Sequence, residues 1–183
     1  MTSSSATTSF VLTVLGHDRP GLVEALANVV ASHGGNWLES RMARLANKFA
    51  GVLLVDVPDD RAAAFSEALA GLRTHGLTVV VERAEAAGRA TSRPSHRLEL
   101  EGQDRPGIVR EVSSALARLG VSVDELETSW RSAPMTAETL FAARAELHLP
   151  EGVSAGDVRR ALEAIAQDLM VEVEIADAPS TAS

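Results

Sequence analysis

Apolar and polar residues along this chain fall into strand-like and helix-like patterns, and the whole succession occurs twice. Residues 10–15 form a short apolar run that reads as a strand. Residues 20–32 carry Leu22, Leu26 and Val29 on one helical stripe, with Gly34 and Gly35 as the stop. Residues 36–45 read as extended and residues 49–57 as a clearer strand rich in Val and Leu. A second helix opens at Pro58-Asp59-Asp60 and runs to Leu72; His75-Gly76 ends it, and residues 77–83 form the closing strand. The order is βαββαβ. Residues 97–101, 106–119, 121–130, 141–149, 154–169 and 170–176 repeat it, with Ile108, Val112, Ala115 and Leu119 in helical register and Gly120 as the stop. Ser154, three residues before Asp157, marks the start of the last helix.

Punctuation between these elements fixes the domain organisation. His17-Asp18-Arg19-Pro20-Gly21-Leu22-Val23 returns as Gln103-Asp104-Arg105-Pro106-Gly107-Ile108-Val109, an offset of 103 − 17 = 86 residues. A repeat of that length predicts two domains of ordinary small size, 9–83 and 96–176. A small, polar linker over 84–95 joins them, and the tails 1–8 and 177–183 are expected to be disordered. Phe49 aligns with Phe141 at an offset of 92, so six residues are inserted around 132–139, lengthening the second hairpin.

Strand alternation separates the copies. In the second, Arg97, Glu99, Glu101, Arg144, Glu146, His148, Glu172 and Glu174 fall on one face, with Leu98, Leu100, Leu147, Val173 and Ile175 on the other, a half-solvated sheet. In the first, Val11, Leu15, Val52, Leu54 and Val80 occupy the corresponding outer face. A sheet apolar on both faces must be covered twice, so this face is expected to pack on a neighbour, either the second copy or another chain.

Each copy of the repeated motif lies between a strand and a helix. Proline suits the first helical position, and the following amides, on Gly21, Leu22 and Val23 in the first copy, then lack intrahelical partners. With the positive end of the helix dipole they favour a carboxylate, and glycine leaves room for it. Asp18 and Asp104 would match an ammonium, so both charges of a free amino acid are met; alternatively, the aspartates simply cap their helices.

Charge and composition narrow the function. Seventeen Lys and Arg against 25 Asp and Glu leave a net charge of −8, which argues against direct nucleic-acid binding. There is no cysteine, hence no disulfide, thiolate zinc site or cysteine nucleophile. The residues before Phe10 contain no Lys or Arg and do not form a signal peptide, and no segment is long and apolar enough for a bilayer, so a cytoplasmic protein without membrane contact is expected. No nucleophile elbow, P-loop or dinucleotide fingerprint occurs, and the five histidines have no metal-ligand spacing; no catalytic residue, cofactor or metal is expected. His33 and His75 read as helix-end residues, whereas His17 adjoins the proposed ligand turn. Trp37 reads as core or interface filler.

Two βαββαβ units, each opening with a strand, D-R-P-G and a helix, resemble a tandem pair of ACT domains. The resemblance implies an α+β, ferredoxin-like fold with antiparallel sheets carrying helices on one face, and binding of amino acids or other small effectors, usually where two such domains meet. Carried over, it implicates Asp18, Gly21 and Leu22 with Asn36 and Trp37 at the start of the second strand, and His17 beside them. In the second copy it implicates Asp104, Gly107 and Ile108, with Ser122 where Asn36 would stand. Ser122 offers one hydroxyl for an amide, and Gln103 replaces His17, so the first copy is expected to be the better site. The chain is similar to the free-standing tandem-ACT regulators of the glycine cleavage repressor type. That implies a non-enzymatic sensor of an amino acid, glycine or serine among the candidates, acting on transcription through a protein partner such as a transcription activator, and a homo-oligomer. A structural dimerisation module and an allosteric regulatory subunit of an enzyme of amino-acid metabolism are the alternatives. The turn also resembles the ACT portion of formyltetrahydrofolate deformylase, but no catalytic half is found here and that activity is not expected.

Overall fold

A computed structural model describes residues 6–84, 95–132, 139–169 and 171–177, in two compact units, 1–89 and 90–183. The first unit runs β1 (Thr7–His17), α1 (Leu22–Ser32), β2 (Asn36–Leu45), β3 (Lys48–Pro58), a 3-10 turn (Asp59–Arg61), α2 (Ala62–Gly71), a second 3-10 turn (Leu72–His75) and β4 (Leu77–Arg83). The second runs β5 (Ser95–Gln103), α3 (Ile108–Arg118), β6 (Ser122–Ser132), β7 (Thr139–His148), α4 (Ala155–Leu169) and β8 (Val171–Asp177). Each sheet is antiparallel, in the orders β2-β3-β1-β4 and β6-β7-β5-β8, so the expected ferredoxin-like fold is present twice.

β1 is longer than its apolar run because pairing with β3, from Thr7↔Pro58 to His17↔Lys48, holds its polar ends as well. Thr7 and Thr8 therefore belong to the strand, inside the stretch expected to be a tail. Phe10, Leu12 and Val14 point to the helices and meet Leu22, Leu26 and Val30 of α1 and Phe65 and Leu69 of α2 in one core. Val30, not Val29, is the third buried residue of α1. In the second unit Leu98, Leu147 and Ile175 pack on Ala115 and Leu116 of α3 and Val158 and Leu162 of α4. His17 pairs with Lys48 and Gln103 with Leu140, so the offset changes from 86 to 92 between the paired strands. That is the inserted hairpin; residues 133–138 of its loop, the linker at 85–94 and the end tails at 1–5 and 178–183 lie outside the described residues.

Start signals differ in their outcome. Ser154 and Asp157 form a reciprocal cap: the Ser154 amide donates to Asp157 Oδ2 at 2.9 Å and the Asp157 amide to Ser154 Oγ at 3.2 Å. The Ser154 hydroxyl and amide, with Arg160 beside them, hold the Asp157 carboxyl below its ordinary value of 3.8. A group depressed in the folded state adds stability above its unfolded pKa and loses it as pH falls through the lower folded one. Asp157→Asn should therefore flatten the acid limb of the second unit's stability below pH 3.8, as read by urea denaturation at a series of pH values.

Outer faces follow the strand alternation. Glu99 pairs across with Arg144 and Glu174, and Arg97 with Glu146, on the charged face of the second sheet. On the first sheet Leu15, Val52 and Val80 are 52%, 48% and 52% exposed and Val11 and Leu54 half-buried, so the first unit does not cover this apolar outer face itself.

Candidate functional site

Proline does not open either helix. α1 begins at Leu22, its N-cap is Gly21 at φ 89°, and Pro20 lies in the turn before it; α3 begins at Ile108 after Gly107 at φ 100°. This corrects the sequence expectation. The glycine is required for its left-handed backbone, since nothing lies within 4 Å of where a Cβ on Gly21 would stand. Neither helix has a side-chain cap hydrogen bond, so Asp18 and Asp104 do not cap, and the first amides of α1 and α3 stand without a side-chain acceptor.

The aspartates instead tie the turn to the neighbouring hairpin. The Asp18 amide donates to the carbonyl of Asn47 at 2.9 Å, and the Asp104 amide to that of Thr139 at 2.8 Å. Asn47, just before β3, and Thr139, the first residue of β7, are equivalent positions, so each turn is fixed by the corresponding backbone bond. The Asp18 carboxylate accepts from Arg44 Nη1 at 3.3 Å, with the arginine largely exposed. His17 Nε2 is 3.0 Å from Lys48 Nζ, and Arg19 donates to the carbonyl of His75. Arg44, Asn47 and Lys48 were not singled out from the sequence. The hairpin between them turns through Ala46, at φ 53°, where neither Gly nor Asn signals the conformation.

Asn36 and Trp37 lie elsewhere. Asn36 pairs with Asp56 and Trp37 with Val55, at the end of the sheet where β1 begins, whereas Asp18 and Gly21 follow its last residue. Eight or nine residues along a strand separate the two groups, roughly 27 Å. Ser122, paired with His148, is likewise at the opposite end of the second unit from Asp104, Gly107 and Ile108. One unit therefore brings together His17, Asp18, Gly21 and Leu22 with Arg44 and Lys48, but not Asn36 or Trp37.

The copies differ at the site and beneath it. Trp130 occupies the position of Arg44 in register and is 74% exposed, so Asp104 has no equivalent cation there. Trp37 and Met42 pack on the first core, and Met42 lies against Gly51 so closely that a Cβ there would stand 2.5 Å from its Cγ. The second unit has Val123, Thr128 and Ala143 at these places, and a narrow apolar crevice of about 30 Å³ lies between Val112, Val123, Leu126 and Ala143. Trp37 thus packs, partly buried, against the first core. Among the described residues no group of three His, Asp or Glu could hold a metal, and no helix is long and apolar enough to cross a membrane.

Known proteins match the chain in sequence and fold. Models of the ACT domain match residues 8–82 and 96–129. The glycine cleavage system transcriptional repressor of Escherichia coli (strain K12) is 24% identical over 167 residues, 90% of this chain and 87% of that protein. The phosphoserine phosphatase SerB2 of Mycobacterium tuberculosis is 27% identical over 176 residues, 94% of this chain but 41% of that protein. Among solved structures, an unknown protein from Galdieria sulphuraria is 29% identical, with a TM-score of 0.84 over 95% of this chain and all of that one.

Proposed function

The chain belongs to the ACT-domain family, with two copies in tandem and kinship to the glycine cleavage repressor, and from that premise we propose that it is a non-enzymatic sensor of a free amino acid. One observation carries the reading: the first turn places an uncapped helix start beside a carboxylate and a guanidinium. The free amides of α1 and Arg44 suit the ligand's carboxylate, and Asp18 suits its ammonium. Asp18 and Arg44 neutralise each other at the turn, so a zwitterion exchanges one ion pair for two without leaving a charge unmatched. The second turn keeps Asp104 and Gly107 but has Trp130 in place of the arginine, so the first is the stronger site. Asn36 and Ser122 stand at the other end of their own units and take no part in the site of either turn.

Its output is control of transcription through a protein partner, glycine and serine being the first effectors to test. The acidic balance supports action through a partner over contact with DNA, and the cytoplasm is where such a partner works. Calorimetric titration of the full chain with a panel of amino acids checks the ligand. Saturable binding is expected, weakened about tenfold or more in Asp18→Ala, the loss of one charge-assisted contact. Silence across the panel would leave the dimerisation module as the better reading.

A further inference from the structure

The outer face of the first sheet has the composition of a buried surface, and no described element of the first unit covers it. Strand register arranges it in four rows. Glu39, Leu54, Val11 and Glu82 form the first; Arg41, Val52, Thr13 and Val80 the second. Ala43, Ala50, Leu15 and Thr78 form the third, and Leu45, Lys48 and His17 the fourth. The central strands carry Leu, Val, Thr and Ala and the charges lie around them, the layout of a protein interface with a polar rim. Leu15, Val52 and Val80 are each about half exposed and Leu45 is 82% exposed.

We propose that this face is where two copies of the chain associate, sheet against sheet, about a two-fold axis that lies between the sheets and runs across the strands. The corresponding face of the second sheet is unsuited as the cover. It carries Glu99, Glu101, Glu125, Glu127, Glu172 and Glu174 with Arg97, Arg131 and Arg144 among its outward residues, and charged groups of either sign pressed on Val52 and Leu15 would lose water without gaining a partner there. A second copy of the first sheet brings its own apolar centre, and two such faces interdigitate at about 10 Å.

Rim charge selects the orientation. A two-fold axis across the strands inverts the row order, so the acidic first row, with Glu39 and Glu82, stands over the fourth, with Lys48 and His17. An axis along the strands would keep the rows in step and set Glu39 over Glu82, a like-charge contact. The face is about 19 Å wide, four strands, and roughly 20 Å long over its rows. That is roughly 400 Å² of flat area per copy, below the about 800 Å² per partner of a standard stable interface, which fits a weak, reversible dimer and not a permanent one.

Sedimentation of the full chain over a wide concentration range tests this. The wild type is expected to pass from monomer to dimer, and Val52→Lys, at a half-exposed site where the fold tolerates the change, to raise the dimer dissociation constant more than about tenfold by placing an unpaired ammonium in the apolar centre. Lys48→Glu should weaken the dimer, and Glu39→Lys with Lys48→Glu should restore it, because the swap is self-complementary only across this two-fold. Circular dichroism confirms that each variant remains folded. A wild type that stays monomeric throughout overturns the proposal, whatever else the face captures. So does a dimer indifferent to Val52→Lys, and failure of the charge swap to rescue overturns the stated axis.

Discussion

Phe65→Ala should cost the first unit about 3–5 kcal/mol, the range for removing a fully buried aromatic ring. Phe65 is 0% exposed, its ring lies 5.7 Å from that of Phe10, and the His33 imidazole stands edge-on to it at 5.8 Å. α2 brings it onto β1 at the middle of the core, between elements that cannot close the gap: β1 is held by hydrogen bonds on both sides and α1 by Leu22, Leu26 and Val30. Small domains have only about 5–15 kcal/mol in total, so the variant unit should be close to unfolded at physiological temperature. Each unit has its own core, and Val158 and Leu162 of the second are untouched. Urea denaturation followed by tryptophan fluorescence separates them, because Trp37 packs on the first core whereas Trp130 is mostly exposed. In a Trp130→Phe background the Trp37 transition should move to much lower urea. A shift equivalent to less than about 1 kcal/mol would mean that the site collapses around the lost ring and that the core is looser than its packing indicates.

Element type was legible because each element has one period. β2 and β4 occupy the residues expected of them, and the six-residue insertion appears as the change from His17↔Lys48 to Gln103↔Leu140. The site was legible in part. Asp18 and Gly21 do meet at one turn, but grouping them with Asn36 ignored the direction of the chain: α1 carries it back to the end where β1 began, so β2 starts far from the turn. Arg44 was invisible for another reason. Its contact with Asp18 depends on a tight hairpin through Ala46, and nothing in Leu45-Ala46-Asn47-Lys48 announces a positive φ at alanine. The acidic outer face of the second sheet and the apolar one of the first could both be read from alternation, since register only confirmed which strands lie side by side.

Gly21→Val should destabilise the first unit by about 3 kcal/mol, the upper end for a residue forced into left-handed backbone. The cause is conformational. Gly21 sits at φ 89° with nothing within 4 Å of the place a Cβ would take, so no neighbour resists the side chain and relaxing the surroundings cannot help. The penalty must therefore follow backbone preference, not size: smallest for Asn, intermediate for Ala and largest for Val, whose branch at Cβ disfavours positive φ most. A crowding explanation predicts another order, with Ala the mildest and Asn close to Val in volume. Gly107, at φ 100°, should give the same ranking in the second unit, its nearest atom, Glu111 Oε1, being an ordinary 3.6 Å away. Thermal melts of the three variants at each position decide between them. Ligand titration adds a sharper reading, because the turn can escape its strain by rotating the peptide before Leu22, which would turn the first amides of α1 away from a bound carboxylate. Gly21→Ala should then lose affinity even at temperatures where the unit remains folded, whereas Gly107→Ala should leave binding at the proposed first-copy site intact.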